Sequence, residues 1–226
     1  MVKEFLKEEG QHLKYEAILF DMDGTILNTL EDLTDAVNHV LKGNGEPTRT
    51  IEEIKSFVGN GMKKLMERAV PGGAGHPDFD RMFAEYQEYY PPHSRIKTKP
   101  YDGILPLMEE CKARGVKVGI VSNKQQPAVT ELAEYYFPGL TQAAIGDGEG
   151  RMVKPAPDAC MEAMRQLGAD PAKTLYVGDS DVDALTAKNS GLDCVLVTWG
   201  FRERDLLEQQ EYVDIIDRPG ELLKYI

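Results

Sequence analysis

The stretch EAILFDMDGT, residues 16–25, decides how this chain folds. The apolar run from Ala17 to Phe20 has the composition of a buried β-strand, and it ends in an acidic turn that contains glycine. Residues two apart in a strand share a face, so we expect Asp21 and Asp23 to project together beyond the strand end. Such a pair suits nucleophilic and acid–base chemistry or Mg²⁺ binding, although a plain surface turn has a similar composition.

Further short apolar runs alternate with segments of helical spacing. They extend from Val116 to Val121, Ala143 to Ile145, Thr174 to Val177, Cys194 to Val197 and Val213 to Ile216. Strands that alternate with helices predict an α/β fold, a Rossmann-like, doubly wound parallel sheet with helices on both faces. Ligands of such folds bind at the carboxyl ends of the strands.

One interval breaks this alternation. Residues 28–97 contain helical patterns, for example around Leu33 and Val37, and no convincing strand. We therefore expect a small α-helical cap domain at residues 28–97, inserted into a catalytic core formed by residues 1–27 and 98–226. The two crossings between cap and core would act as a hinge.

Composition limits the classes of partner and location. The chain has 226 residues, 38 of them acidic and 26 basic, and its net charge of −12 repels polyanions, so nucleic acid is not an expected partner. The sequence has neither a signal-peptide-like run nor an apolar stretch of membrane-spanning length, so we expect a cytoplasmic protein without a membrane partner. Either a monomer or a homodimer fits. Cys111, Cys160 and Cys194 lie far apart among apolar residues and are expected to be reduced and buried.

A second acidic cluster follows the predicted strand TLYVG, residues 174–178. Asp179 and Asp183 are four residues apart where this strand turns into a helix, so both can face one pocket, whereas Asp181 points elsewhere. Acidic residues are also common at helix N-termini because they cap the helix and interact with its dipole. That structural role is the alternative for this cluster taken alone.

Two polar positions beside other elements suit phosphate binding. Ser122, Asn123 and Lys124 follow a predicted strand, where a hydroxyl and the backbone N–H groups after it can hold a phosphate. Lys154 precedes a predicted helix and offers a compact positive charge, although a solvated surface lysine is the commoner case.

Charge balance connects these positions. Two unit charges about 5 Å apart repel by roughly 3 kcal/mol at an effective dielectric of 20. Asp21, Asp179 and Asp183 together would therefore exclude a phosphate dianion. One Mg²⁺ and Lys154 would supply three positive charges and offset these carboxylates, so the pattern predicts a site that needs both.

In their order along the chain, DMDGT, Ser122, Lys154 and GDSDVD resemble the four motifs of the haloacid dehalogenase (HAD) superfamily of phosphotransferases. The resemblance implies that Asp21 is the nucleophile and Asp23 the general acid–base. It also implies that Ser122 and Lys154 bind the phosphoryl group. The metal ligands that it implies are Asp21, Asp23 through its backbone carbonyl, Asp179, and Asp183 either directly or through water.

Three further segments resemble phosphoglycolate phosphatases: the helical sequence after DMDGT, the VGNG motif in the predicted cap, and VTWGFRERDLL near the C-terminus. The resemblance implies that backbone N–H groups of VGNG, with a lysine nearby, face a substrate carboxylate. A plain loop before a helix is the structural alternative. The substrate-binding residues implied are Gly59, Asn60, Gly61 and Lys63 in the cap, with Thr25 and Asn123 in the core.

The predicted function is Mg²⁺-dependent hydrolysis of a small phosphorylated metabolite through an aspartyl-phosphate, with 2-phosphoglycolate as the first candidate. A sugar phosphomutase of the β-phosphoglucomutase type and an inorganic pyrophosphatase of the same fold use the same pair of aspartates and stay open. A catalytically silent metabolite binder is the alternative outside this class. A receiver-type signalling domain fits less well, because its phosphoacceptor follows a central strand in a shorter domain.

Overall fold

Parallel strands form the main sheet of this protein. The computed structural model describes residues 14–148, 150–211 and 213–226. In chain order the strands are β1 (Ala17–Phe20), β2 (Leu27–Asn28), β3 (Lys99–Pro100), β4 (Lys117–Gln125), β5 (Ala143–Asp147), β6 (Thr174–Gly178), β7 (Asp193–Val197) and β8 (Val213–Ile216). The main sheet has the order β5-β4-β1-β6-β7-β8 with parallel neighbours, and β2 pairs with β3 as an antiparallel ribbon.

The strand order places a crevice beside β1. The chain builds the sheet outward from β1 in one direction, through β4 and β5, and then returns to add β6, β7 and β8 on the other side. In doubly wound sheets, ligands bind where the direction of strand addition reverses. That point lies between the carboxyl ends of β1 and β6, which are the strands that precede the two acidic clusters.

Helices cover both faces of the sheet, as the sequence predicts. They are α1 (Leu30–Gly43), α2 (Ile51–Phe57), α3 (Met62–Ala69), α4 (Phe79–His93), α5 (Ile104–Ala113), α6 (Gln126–Tyr136), α7 (Asp158–Leu167), α8 (Asp181–Ser190) and α9 (Arg204–Leu207). Alternate residues of β1 point to opposite faces: Ile18 and Phe20 pack in the core with α5 and α6, and Leu19 packs in the core with α7 and α8. The predicted α/β class and doubly wound sheet are confirmed.

The three cysteines lie in these two cores. Cys111 packs on the α5 side, and Cys160 and Cys194 pack on the α7 side. All three are buried free thiols, which agrees with the expectation from the sequence. No helix among the described residues has both the length and the apolar character needed to cross a membrane.

Strand β4 is longer than its apolar run indicates. The sequence predicts an end at Val121, but the strand continues to Gln125, which pairs with Asp147 of β5 after an irregularity in the ladder. Ser122 and Lys124 are buried within this extension. The polar residues stay in the strand because they line a pocket of the folded chain instead of forming a surface turn.

The segment between β2 and β3 is helical, and we call residues 30–93, which form α1 to α4, the helical insert. It has its own apolar cluster, in which Val37, Met66 and Tyr86 are fully buried, and Phe201 from the core packs against this cluster. Helix α4 contains Pro91 and Pro92 in its last turn. The φ angle of proline is compatible with a helix. The division of the chain into domains at residues 28 and 97 stays a prediction.

The buried carboxylate of Asp32 stabilises the second connection between the helical insert and the core. Asp32 of α1 is 2% exposed and accepts backbone hydrogen bonds from Lys97 (3.0 and 3.1 Å) and Thr98 (2.9 Å), just before β3. Asp35, one turn further along α1, is exposed and forms an ion pair with the Lys97 side chain (2.7 Å).

We expect Asp32→Ala to lower the free energy of unfolding by about 3 kcal/mol, because it removes a buried charged acceptor from the backbone N–H groups of Lys97 and Thr98, and that of Thr98 is buried. Asp35→Ala should change the same quantity by no more than about 1 kcal/mol, because its ion pair is exposed to solvent. Urea denaturation of both variants measures the difference. Equal losses in the two variants would show that Asp32 does not stabilise this connection.

Candidate active site

The loop after β1 directs two carboxylates into one pocket. The Asp21 N–H donates to the Val177 carbonyl (2.8 Å), so Asp21 extends the ladder between β1 and β6. Asp21 is buried and Asp23 is half-buried, and both line the same pocket. Asp23 Oδ1 accepts a hydrogen bond from Thr29 Oγ1 (2.7 Å) and lies 3.2 Å from Lys124 Nζ.

The turn that follows requires glycine. Gly24 has a φ of +90°, and a Cβ at this position would collide with the Asp179 carboxylate. The next residue, Thr25, is fully buried and places its hydroxyl 3.5 Å from Asp179 Oδ1. The Trp199 indole N–H donates to the Thr25 carbonyl (2.9 Å) and fixes the turn from the other side. Thr25 therefore lies behind the acidic cluster, and its predicted role in substrate binding stays a prediction.

Asp179 follows β6 directly and Asp183 lies in the first turn of α8, and the surroundings of the two carboxylates differ. Asp183 Oδ1 accepts hydrogen bonds from Lys154 Nζ (2.8 Å) and the Tyr176 hydroxyl (2.9 Å). Its Oδ2 accepts the N–H groups of Asp179 (3.2 Å) and Ser180 (3.1 Å) and the Ser180 hydroxyl (2.6 Å). Both oxygens of Asp183 are thus occupied by protein donors. Asp179 accepts the Phe201 N–H on Oδ2 (2.6 Å) and, at 3.5 Å, the Thr25 hydroxyl on Oδ1.

The two acidic clusters meet. Asp21, Asp179 and Asp183 are all buried, and each offers one carboxylate oxygen within 4.8 Å of the other two. Lys154 is 3% exposed and lies between two of them, with Nζ 2.7 Å from Asp21 Oδ1 and 2.8 Å from Asp183 Oδ1. Asp181 is exposed and pairs with Arg202 (3.3 Å), so it points away from the cluster as predicted.

Burial and charge set the protonation of this cluster. Burial raises the pKa of Asp21 well above its usual value, and the charges of Asp183 and Asp179 add to this effect against the attraction of Lys154. Burial and the Asp183 charge raise the pKa of Asp179 to about 7. Burial also opposes ionisation of Asp183, but Lys154 and the hydrogen bonds from Ser180 and Tyr176 together outweigh it and lower the pKa of that carboxyl. The pKa values of Asp21 and Asp179 stay raised in spite of the positive charge of Lys154.

The polar end of β4 forms another wall. The Lys124 N–H donates to Ser122 Oγ (3.2 Å), and Ser122 is 3% exposed at the pocket. The Asn123 side chain accepts the Lys154 N–H (2.7 Å) and donates to the carbonyls of Lys154 (3.1 Å) and Gly59 (3.1 Å). Asn123 therefore joins β4, the Lys154 loop and the helical insert.

One pocket is lined by most of the predicted site residues. Of the predicted cap residues, only some belong to its lining. Its lining residues are Asp21, Asp23, Leu33, Val58, Gly59, Gly61, Met62, Leu65, Ser122, Asn123, Lys124 and Lys154. Gly59 and Gly61 thus reach the pocket. The Asn60 side chain instead accepts a hydrogen bond from Arg68 (2.8 Å), and Lys63 is exposed and does not contribute to this lining.

Arg202 connects the core to the insert at the pocket rim. Its guanidinium donates to the carbonyls of Val58 (2.8 Å) and Lys55 (3.3 Å) at the end of α2. A neighbouring ion pair joins Lys55 to Glu203 (2.9 Å). The insert is therefore held over the pocket by side chains of the core.

Sequence reasoning missed Lys124, Tyr90, Tyr176 and Arg202 as residues of the site. Lys124 had a signal, because it lies two residues after Ser122 in a strand and so shares its face. The other three act through tertiary contacts that no local spacing indicates.

The fold and the acidic cluster place this chain in a known class. A model of the haloacid dehalogenase-like hydrolase family matches residues 18–197, and the chain belongs to that family. The chain is 31% identical over 212 residues to phosphoglycolate phosphatase 1 of Pseudomonas aeruginosa, a match that covers 91% of this chain and 78% of the relative. It is 28% identical over 212 residues to a phosphoglycolate phosphatase of Aquifex aeolicus, with 92% and 94% covered.

Solved structures agree with the family. A crystal structure of a proposed phosphoglycolate phosphatase from Lactobacillus delbrueckii subsp. bulgaricus superposes with a TM-score of 0.88 at 37% identity and covers 93% of this chain and 97% of the other. A crystal structure of a proposed haloacid dehalogenase-like hydrolase from Bacteroides fragilis has a TM-score of 0.84 at 26% identity, with 92% of this chain and 99% of the other covered. The resemblance drawn from the sequence motifs is confirmed.

Proposed function

We propose that this protein is a Mg²⁺-dependent phosphatase that hydrolyses 2-phosphoglycolate through a phosphorylated Asp21. The class, a phosphoric monoester hydrolase, follows from the family and from the curated relatives. The observation that carries the proposal is the buried group of Asp21, Asp179 and Asp183 with Lys154, at the reversal point of the sheet. The substrate rests on the relatives that are named phosphoglycolate phosphatases and cover most of this chain.

The acidic group fits a magnesium ion. Mg²⁺ prefers carboxylate and carbonyl oxygens, and Asp21 and Asp179 both offer buried carboxylates to one point. Asp183 is suited to orient Asp179, because its own oxygens are occupied by protein donors. The Asp23 backbone carbonyl is the remaining ligand that we propose. Bound there, Mg²⁺ would supply positive charge that offsets the carboxylates and the phosphoryl oxygens.

Asp21 is oriented for attack on phosphorus. Its Oδ1 is held by Lys154 Nζ (2.7 Å) and the Met22 N–H (2.7 Å). Among the described residues, none donates a hydrogen bond to Asp21 Oδ2, so that oxygen is available to form the new bond to phosphorus. The bond between phosphorus and the leaving oxygen breaks as Asp23 delivers a proton to that oxygen.

The second half of the reaction returns Asp21 to its initial state. Asp23, having lost its proton, accepts one from a water molecule as that water attacks the phosphorus of the aspartyl-phosphate. Inorganic phosphate leaves, and Asp21 is again a carboxylate. Ser122 and Lys154, which line the pocket beside Asp21, are the residues that we propose to bind the phosphoryl oxygens.

Phosphate release from 2-phosphoglycolate, hexose phosphates, nucleoside monophosphates and pyrophosphate tests this function. We expect 2-phosphoglycolate to be preferred in the presence of Mg²⁺, and Asp21→Asn to lower turnover at least about 10⁴-fold because it removes the nucleophile. Asp181→Asn, at an exposed aspartate of the same sheet edge, is the matched control and should keep its activity. Full activity in Asp21→Asn would disprove the mechanism, and phosphoryl transfer to a sugar without net hydrolysis would identify a mutase.

Thermal unfolding tests the metal site without any turnover. Saturating Mg²⁺ should raise the Tm of the wild-type chain by about 5–10 °C, the size expected for a ligand at about 100 times its Kd on a chain of this length. Asp179→Asn should lose most of this increase. Without metal, its Tm should equal or exceed that of the wild type, because the substitution removes a buried charge that lies beside Asp183.

Asp181→Asn is again the control and should respond to Mg²⁺ as the wild type does. The same Mg²⁺-induced increase in both variants would contradict the assignment of Asp179 as a ligand.

A further inference from the structure

Lys124 is a buried cation to which the mechanism above gives no part. It is 4% exposed and lines the pocket. Its ammonium group contacts Asp23 Oδ1 (3.2 Å) and donates to the Tyr90 hydroxyl (2.6 Å). An ammonium has three N–H donors, and the described residues occupy two of them. A donor is therefore left for a molecule in the pocket.

Lys154, the other lysine of the lining, is different. Its three donors are directed to Asp21 (2.7 Å), Asp183 (2.8 Å) and the Tyr176 hydroxyl (3.2 Å). These contacts hold Lys154 at the acidic cluster, beside the position proposed for the phosphoryl group. Lys63, which the sequence suggested for a substrate carboxylate, is exposed and outside the lining.

The position of Lys124 relative to Asp23 indicates which anion it meets. Asp23 is the residue that delivers a proton to the leaving oxygen in the proposed reaction, so that oxygen lies beside Asp23. In a 2-phospho acid, the carboxylate carbon is separated from the same oxygen by a single carbon atom. A cation 3.2 Å from Asp23 is therefore next to the place that such a carboxylate must occupy. The part of the lining that the helical insert contributes carries no charged side chain: Leu33, Val58, Gly59, Gly61, Met62 and Leu65.

We propose that Lys124 binds the carboxylate of the substrate, and that Tyr90 of the helical insert positions Lys124 for this contact. This inference rests on the proposed function and narrows its substrate class to acids phosphorylated on the carbon next to the carboxylate. Lys124 is then a specificity-determining residue supplied by the core, and Tyr90 is the positioning residue through which the insert contributes.

Tyr90 has a matched neighbour that serves as its control. Tyr86 and Tyr90 lie one turn apart on α4, both are fully buried, and their rings stack with centroids 5.6 Å apart and an interplanar angle of 4°. The Tyr90 hydroxyl accepts from Lys124, whereas the Tyr86 hydroxyl has no hydrogen-bond partner among the described residues. Substitution by phenylalanine removes one oxygen in each case. The Lys124 ammonium also lies 4.5 Å from the Tyr90 ring centroid, a contact that phenylalanine keeps.

The experiment compares two substrates of equal length, 2-phosphoglycolate and 2-hydroxyethyl phosphate, which carries a hydroxymethyl group in place of the carboxylate. The readout is the ratio of their kcat/KM values, in which any effect of Lys124 on Asp23 cancels because both substrates share the chemical steps. We expect Lys124→Met to lower this ratio by about 10- to 100-fold, which is the loss expected for a charge-assisted hydrogen bond.

The tyrosine pair gives a second, independent readout. Tyr90→Phe should lower the ratio by about 3- to 10-fold, chiefly through a higher KM for 2-phosphoglycolate, because Lys124 loses its hydroxyl partner. Tyr86→Phe should leave both the ratio and KM unchanged. If Lys124→Met does not fold, the comparison of Tyr90→Phe with Tyr86→Phe decides the question.

Several outcomes separate this inference from the proposed function. A wild-type preference for 2-phosphoglycolate that persists in Lys124→Met and Tyr90→Phe would overturn the inference and keep the function. Equal losses for both substrates in Lys124→Met would mean that Lys124 serves the phosphoryl group or Asp23, and would also overturn it. Release of phosphate from neither substrate by the wild type would reject the function and the inference together.

Discussion

Mutual repulsion among three buried carboxylates is the constraint on which this structure depends. Asp21, Asp179 and Asp183 converge within 4.8 Å, and Lys154 lies between two of them. Desolvation makes such a cluster costly, and positive charge offsets the cost. The backbone is shaped to allow the convergence: side chains at Gly24 and Gly178 would occupy the space of the Asp179 and Asp183 carboxylates. The sheet supplies the rest, because its reversal point brings the ends of β1 and β6 together.

The helical insert completes the pocket through a small number of polar contacts with the core. Asn123 donates to the Gly59 carbonyl, and Arg202 donates to the Val58 carbonyl, so the loop after α2 is held from two sides. Lys124 and Tyr90 form a third contact, which is buried. The acidic cluster therefore belongs to the core, whereas the apolar residues of the pocket lining belong to the helical insert. The core supplies the reacting groups, and the insert shapes the space that is left for a substrate.

Much of this arrangement could be predicted from the sequence because it is local. The apolar runs located the strands, with identical bounds for Ala17–Phe20 and Val213–Ile216, and the motifs at their ends located the acidic cluster. The continuation of β4 beyond Val121 could not be predicted, because its polar residues are stabilised by a pocket that forms only in the folded chain.

The contacts between the helical insert and the core could not be predicted from the sequence either. The Tyr90 hydroxyl meets Lys124 across 34 positions of sequence, and no periodicity indicates such a pair. The resemblance implied backbone N–H groups of VGNG, with Lys63 nearby, for the substrate carboxylate, and that role stays a prediction. In the structure Lys63 is exposed and Lys124 is buried, a difference that charge composition cannot show.

The central claim is that the buried cluster makes Asp21 the acceptor of a phosphoryl group. The most direct measurement is rapid acid quenching of the wild-type chain during turnover of 2-phosphoglycolate with a labelled phosphoryl group, followed by peptide mapping. The account predicts label on the peptide that contains Asp21, formed when Mg²⁺ is present and lost on the time scale of turnover. Label on a different residue, or phosphate release at the normal rate with no labelled peptide at any time, would contradict it.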